Sequence, residues 1–327
     1  MWWLIACASE VELGVLIDGE RVPVVDMHLH PGDWDQIPPE TQTFLASRFP
    51  FPFSLTPEVL ADSVLTGEGI LDELDGAGAE AGMLFAVYAP RTVGIASNTL
   101  VGEQLQVDPS RLYGLASLRV DQWETDEDAE LNALEDAVDR YGFSGIKLAH
   151  AHQGFRMDDP RYDSIYVVAG ARGLPVYLHT GTSPFPGTQQ AAPYTDPAYL
   201  EDAIALHPET MFILGHLGFD FINKKSGALQ SCLDLGSRYD NVWLEPSALG
   251  SAGSDPEGVM LAEAMRSIAD AGLISRTIYG SDGPQSPGFV ADYVERTVTA
   301  MERAGYTTAE KRAVLSENFY SLFGKKP

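Results

Sequence analysis

Two cysteines in 327 residues, Cys7 and Cys232, exclude a disulfide framework and make a reducing cytoplasm the expected setting. Basic residues are scarce: 21 Lys and Arg stand against 47 Asp and Glu, a formal net charge of −26. Such a surface repels nucleic acid and anionic membranes and keeps a chain in solution, without identifying a substrate. Apolar runs long enough for a transmembrane helix are absent too. The opening MWWLIACAS lacks a basic flank and is shorter than the apolar core of an export signal, so it reads as the start of the mature chain. The expected partner is a small-molecule substrate, with no nucleic acid and no membrane, and with a homo-oligomer left open.

Apolar sequence is plentiful at 45%, enough for a large core. Short β-rich runs at 22–28, 82–88, 112–118, 145–148, 175–179, 211–214, 242–245 and 277–281 alternate with helical spacing at 125–141, 159–172, 196–207, 255–272 and 288–305. Eight strands, each followed by a helix, predict an α/β chain of the (β/α)8 TIM-like barrel type. It would form a single domain over 22–327 behind a lead-in at 1–21; a doubly wound open sheet is the runner-up. The first connection, 31–56, contains QIPPE and RFPFPFSLTP, where prolines should block regular structure and aromatics seek burial. It reads as a lid over the site or an apolar loop on the rim.

The chemistry gathers at strand ends. VVDMHLHPG places His28 and His30 two residues apart in a strand, hence on one face. The fifth strand ends PVYLHTG with His179, the sixth FILGHLG with His216 and the eighth IYGSDGP with Asp282. In a barrel all carboxyl ends meet around one mouth, so these residues converge. Any one alone is as well explained by packing; together they offer the imidazole and carboxylate donors that Zn²⁺, Mn²⁺ or Fe²⁺ take.

The set DMHLH, GIKL, VYLHTG, GHLG, YGSDGP and the tail LSENFYSLFG, in that order from 22 to 324, resembles the amidohydrolase superfamily. Within it, the sequence is similar to the amidohydrolase 2 group that includes aminocarboxymuconate semialdehyde decarboxylase-like enzymes. The resemblance implies His28, His30, His179 and Asp282 as ligands of a divalent metal, zinc first, with manganese or iron as alternatives. It implies His216 as either a ligand of a second ion or a catalytic acid–base. Lys147 in GIKL matches the strand-four lysine that is carbamylated in binuclear members; otherwise it is expected as a buried lysine paired with a carboxylate.

The chain departs from the family pattern in AHAH, which brings His150 and His152 to the mouth as candidate substrate-binding groups, added ligands or members of a polar loop. Glu245 is a candidate partner for an imidazole and Asp26 a candidate to orient one; His207 falls on the far side of the barrel. Arg91, Arg119 and Arg156 follow strands two, three and four and are candidates for pairing an anionic substrate group. Trp34, Phe155 and Tyr194 are candidates for an apolar wall. Asp282 is expected to take a proton from a water, with His216 stabilising an oxyanion or protonating a leaving group. Hydrolysis of an amide, lactone or ester-like bond is the first reading. Non-oxidative decarboxylation, a diiron oxygenase and a binding protein without catalysis are the alternatives.

Overall fold

The computed structural model describes residues 12–49, 51 and 53–326, so Cys7 and the MWWLIACAS stretch lie outside the described residues. A hairpin, β1 (Val15–Ile17) and β2 (Glu20–Val22), leads into β3 (Val25–Leu29). There follow β4 (Ala81–Phe85), a second hairpin of β5 (Val87–Ala89) and β6 (Gly94–Ala96), β7 (Leu112–Ala116), β8 (Gly145–Leu148), β9 (Val176–His179), β10 (Phe212–Gly215) and β11 (Val242–Glu245). Seven of these form one parallel sheet in the order β11-β10-β9-β8-β7-β4-β3. The architecture is the TIM-like barrel that alternating strands and helices predict.

The expected eighth strand is different. Segment 277–283 lies between β11 and β3, touching them through the bridges Leu244 to Thr277 and Leu29 to Gly283. Two of its ladder donors are diverted: Tyr279 N–H goes to the Val314 carbonyl at 3.0 Å and Ser281 N–H to Asp26 Oδ1 at 2.9 Å. The barrel closes by sparse bonds instead, Ile278 N–H to Leu244 O at 2.9 Å and Met27 N–H to Tyr279 O at 3.1 Å.

Strand alternation divides the core into two layers. Met83, Phe85, Tyr113, Leu115, Tyr177, Ile213 and Trp243 fill the barrel lumen, while Leu84, Leu112, Ile146, Leu148, Val176, Leu178, Phe212 and Leu214 face the helices. The helix Phe289–Ala304 shows the matching pattern, burying Val290, Tyr293, Val294, Thr297, Ala300 and Met301 at three- and four-residue steps. It stops at Gly305, whose φ of 87° lies in the left-handed region. Truncating Met301 to Ala there would cost about 2–5 kcal/mol.

Three helices predicted from periodicity begin four or five residues later than expected, the one at 255–272 starting at Val259. Asp159 and Asp196 cap short 3-10 turns at Pro160–Tyr162 and Pro197–Leu200, and the α-helices Asp163–Arg172 and Glu201–Leu206 start after them. Prolines also fail to block structure in the first connection. Pro39 takes the first turn of a helix, Pro39–Ala46, where its missing N–H costs nothing. Thr41 of that helix donates to the Thr92 carbonyl, and the Phe44 ring lies 5.1 Å from that of Phe185. No helix among the described residues is long and apolar enough to cross a membrane.

Candidate metal centre

Alternation alone would send His28 outward, because Val25 and Met27 of the same strand face the lumen. A register shift between Asp26 and Leu29 intervenes, so that three residues of β3 span two of β4. The bulge turns His28 inward after Met27, leaves Leu29 in the helix layer, and lets His30 follow His28. His216 meets the same problem after Leu214, which faces the helices. Backbone φ values of 61° at His216 and 50° at Leu217 fold the chain back sharply at the end of β10. Asp282 has φ 68° and is held by its N–H on the His28 carbonyl at 3.0 Å. Three of the candidate site residues, two of them with uncommon backbone angles for non-glycine residues, thus owe their orientation to local irregularity.

His28 Nε2, His30 Nε2 and Asp282 Oδ1 form a triangle with sides of 2.9, 3.0 and 3.1 Å. Donors about 2.1 Å from an octahedral ion stand about 3.0 Å apart along one face, so three acceptor-type atoms fit a divalent cation at this spacing. Ligand atoms of His28, His216 and Asp282 also lie within 4.8 Å of one another. Burial opposes the charge on Asp282, but His28 and His30 outweigh it and hold its carboxyl well below the usual range.

Behind the triangle, His28 Nδ1 lies 3.2 Å from Glu245 Oε1, 3.0 Å from Ser247 Oγ and 3.0 Å from the Tyr177 hydroxyl. Glu245 thus partners an imidazole across the eighth segment, from β11 to β3. Gly215 and Gly280 make the room: a Cβ at the first would overlap the Tyr177 hydroxyl and at the second Glu245 Oε1. Asp26 orients backbone rather than a ring, its Oδ1 accepting from the N–H of His28 at 3.0 Å and of Ser281 at 2.9 Å.

The opposite wall is unpaired. Burial pushes Lys147 down to about 7, against the pull of Asp282 and Glu245. No carboxylate among the described residues reaches its Nζ within salt-bridge distance; the nitrogen sits 4.0 Å above the Tyr177 ring and 4.6 Å above Phe85. His179 lies 4.5 Å ring to ring from His216 and 4.8 Å from His152. His179 Nε2 and His152 Nδ1 are buried without hydrogen-bond partners among the described residues. Burial holds His216 down at about 4 and His152 at about 3, so both are neutral at pH 7.

Other candidates stand apart. His150 stacks on Phe155 at 4.2 Å and makes no side-chain contact with the cluster. Arg91 is exposed; Arg119 is exposed and pairs with Glu130 at 3.7 Å, and Arg156 with Asp158 at 2.6 Å. Trp34 packs 6.2 Å from Phe49 within the first connection. His207 lies near Asp163 and Tyr166, away from the mouth. Sequence reading missed Tyr177 and Ser247. Each sits two residues from a recognised one, His179 and Glu245, which is the strand signal for a shared face.

The family model described as Amidohydrolase matches residues 25–325. No curated protein sequence matches the chain. Among solved structures, an uncharacterised TIM-barrel protein from Bordetella bronchiseptica superposes with TM-score 0.68 at 17% identity, covering 93% of this chain and 99% of that one. A dihydroxybenzoic acid decarboxylase from a Polaromonas species, with bound manganese and 2-nitroresorcinol, gives TM-score 0.64 at 18% identity over 92% and 97% of the two chains. A probable 2-pyrone-4,6-dicarboxylic acid hydrolase from Acinetobacter baumannii, with citric acid bound, gives 0.61 at 20% identity over 92% and 99%. At these identities the likeness concerns the fold.

Proposed function

The chain belongs to the amidohydrolase family, and from that premise we propose that it is a metal-dependent hydrolase of an amide, lactone or other ester-like bond in a small molecule. The observation that carries the reading is the triangle of His28, His30 and Asp282 beside a neutral His216. His28, His30 and Asp282 would hold the ion, with His179 as a further ligand, and zinc is the first choice over manganese or iron for this donor set. A divalent ion bound there would polarise a carbonyl oxygen and acidify water. Asp282 accepts the proton of the attacking water through its carboxylate. His216 serves the leaving group. Lys147 and His152, on the unpaired wall, bind and orient the substrate.

A second reading, non-oxidative decarboxylation, is favoured by Lys147. A buried ammonium with no carboxylate within salt-bridge distance suits a substrate carboxylate, while its neutral form, present at neutral pH, suits capture of CO2 as a carbamate. The test is elemental analysis of protein purified without chelator, followed by assays of ester and lactone hydrolysis by acid release and of hydroxybenzoate decarboxylation by CO2 release. One or two divalent ions per chain and chelator-sensitive acid release are expected. CO2 release without hydrolysis would transfer the assignment to the second reading. Full activity without metal, or a coloured iron protein that consumes dioxygen, would overturn both.

A further inference from the structure

We propose that Ser247 is a positioning residue which, with Glu245, fixes the protons of His28 and His216 together, so that both rings carry hydrogen on Nδ1 and His216 presents a bare Nε2. The proton-handling role of His216 on which this bears is the reading given above.

Glu245 is wholly buried, and the backbone N–H of His216, which can only donate, points at its Oε2, as expected for a carboxylate that accepts. An ionised carboxylate only accepts hydrogen bonds. Ser247 Oγ lies 2.8 Å and the Tyr177 hydroxyl 3.0 Å from Glu245 Oε2. At those distances each hydroxyl must turn its single hydrogen to the carboxylate, since the alternative sets oxygen lone pairs against a buried negative charge.

With both hydroxyl protons used, all three neighbours of His28 Nδ1 are acceptors: Glu245 Oε1, Ser247 Oγ and the Tyr177 oxygen. His28 Nδ1 must therefore carry hydrogen. The same holds for His216, whose Nδ1 has the Ser247 Oγ at 2.9 Å and the Ser247 carbonyl at 3.3 Å, again acceptors only. Its backbone N–H points to Glu245 Oε2 at 3.3 Å, which ties the strained turn to the same carboxylate. Glu245 thus receives from His28 on Oε1 and from Ser247, Tyr177 and the His216 backbone on Oε2. Among the described residues, the Ser247 hydroxyl is the side-chain group within hydrogen-bond distance of both imidazole rings.

One consequence concerns His216. Its Nε2 has no hydrogen-bond partner among the described residues, and the Nδ1 proton is committed to Ser247. His216 therefore enters the reaction with an empty Nε2 and gives a proton to a leaving group only after taking one. For His28, hydrogen on Nδ1 leaves Nε2 as the nitrogen that would face an ion held with His30 and Asp282.

Long-range nitrogen–hydrogen NMR correlation of the zinc-loaded, full-length protein, with histidine labelled in the ring and His216→Asn used for assignment, reads the proton positions directly. Wild type is expected to show hydrogen on Nδ1 of both rings. Ser247→Ala should leave His28 unchanged but mix the two forms at His216, lowering kcat about tenfold with KM unmoved, the size of one lost hydrogen bond. Glu245→Gln supplies an amide donor that frees the hydroxyls, so both rings should mix and zinc affinity should fall about 10- to 100-fold. Hydrogen on Nε2 of His216 in wild type would overturn the assignment whether or not the variants fold, and so would a Ser247→Ala protein that keeps both its ring pattern and its kcat. Protein that shows the expected ring pattern but takes up no metal would instead refute the metal reading and leave the proton assignment standing.

Discussion

Two histidine pairs share the spacing His-x-His and meet opposite fates. His28 and His30 bring their Nε2 atoms within 2.9 Å of each other, whereas His150 stacks on Phe155 and His152 turns to His179. The first pair lies at the end of β3, where residues two apart share a face. The second opens the short helix His150–Gln153, where two residues turn through about 200° and place side chains on opposite sides. Residue type and spacing are equal, so the backbone between them decides which nitrogens can act together.

The comparison is broken most directly at the strand pair. His30 is partly exposed, so His30→Ala should fold, lose the ion in elemental analysis, and lose roughly 10³-fold in turnover, the worth of several kcal/mol of metal assistance. Retention of metal and activity would mean the triangle is a hydrogen-bonded cluster and nothing more. His216→Asn is expected to keep the first ion while turnover falls about 10²-fold, as for loss of an acid–base group. If an ion leaves with it, His216 belongs to a second metal position.

The helix pair should separate from the first and also within itself. His152→Ala removes a ring that lies beside His179 and near Phe185, whose rings are 4.8 and 5.9 Å away. It should raise KM about tenfold with the ion count unchanged, since a single substrate hydrogen bond is at stake. A fall in metal content instead would make His152 a ligand and draw the two pairs together.

The same contrast explains what was legible in the sequence. Strand positions were, because apolar runs bounded by turns survive in any register, and seven of the eight appear within a few residues of their expected ends. The eighth was not, because an Asp26 side chain and the Val314 carbonyl take ladder bonds that no local pattern reveals. His28, His30 and Asp282, the members of the triangle, were legible as types. The bulge that turns His28 inward and the positive φ at His216 and Asp282 were not, since they depend on what the neighbouring strand demands. Arginines after strands looked like anion ligands. Arg156 carried its own answer in RMDD, where Asp158 sits two residues on and pairs with it.

His150 carries the smallest expected effect on function and a clear one on stability. Both of its ring nitrogens are buried without hydrogen-bond partners among the described residues, and burial holds it down at about 3 from an ordinary value of 6.5. Between those two values the unfolded chain binds a proton at this position that the folded chain refuses. Stability from this group is therefore complete above pH 6.5 and is lost as pH falls, at a little over 1 kcal/mol per unit. His150→Phe keeps the stacking on Phe155 and removes the proton, so urea unfolding at pH 5 and pH 7 should show an acid loss about 2 kcal/mol smaller than in wild type. Turnover and metal content should not change. An unaltered acid limb would show that His150 finds a proton partner in the folded protein, and a loss of turnover would return it to the mouth beside His152.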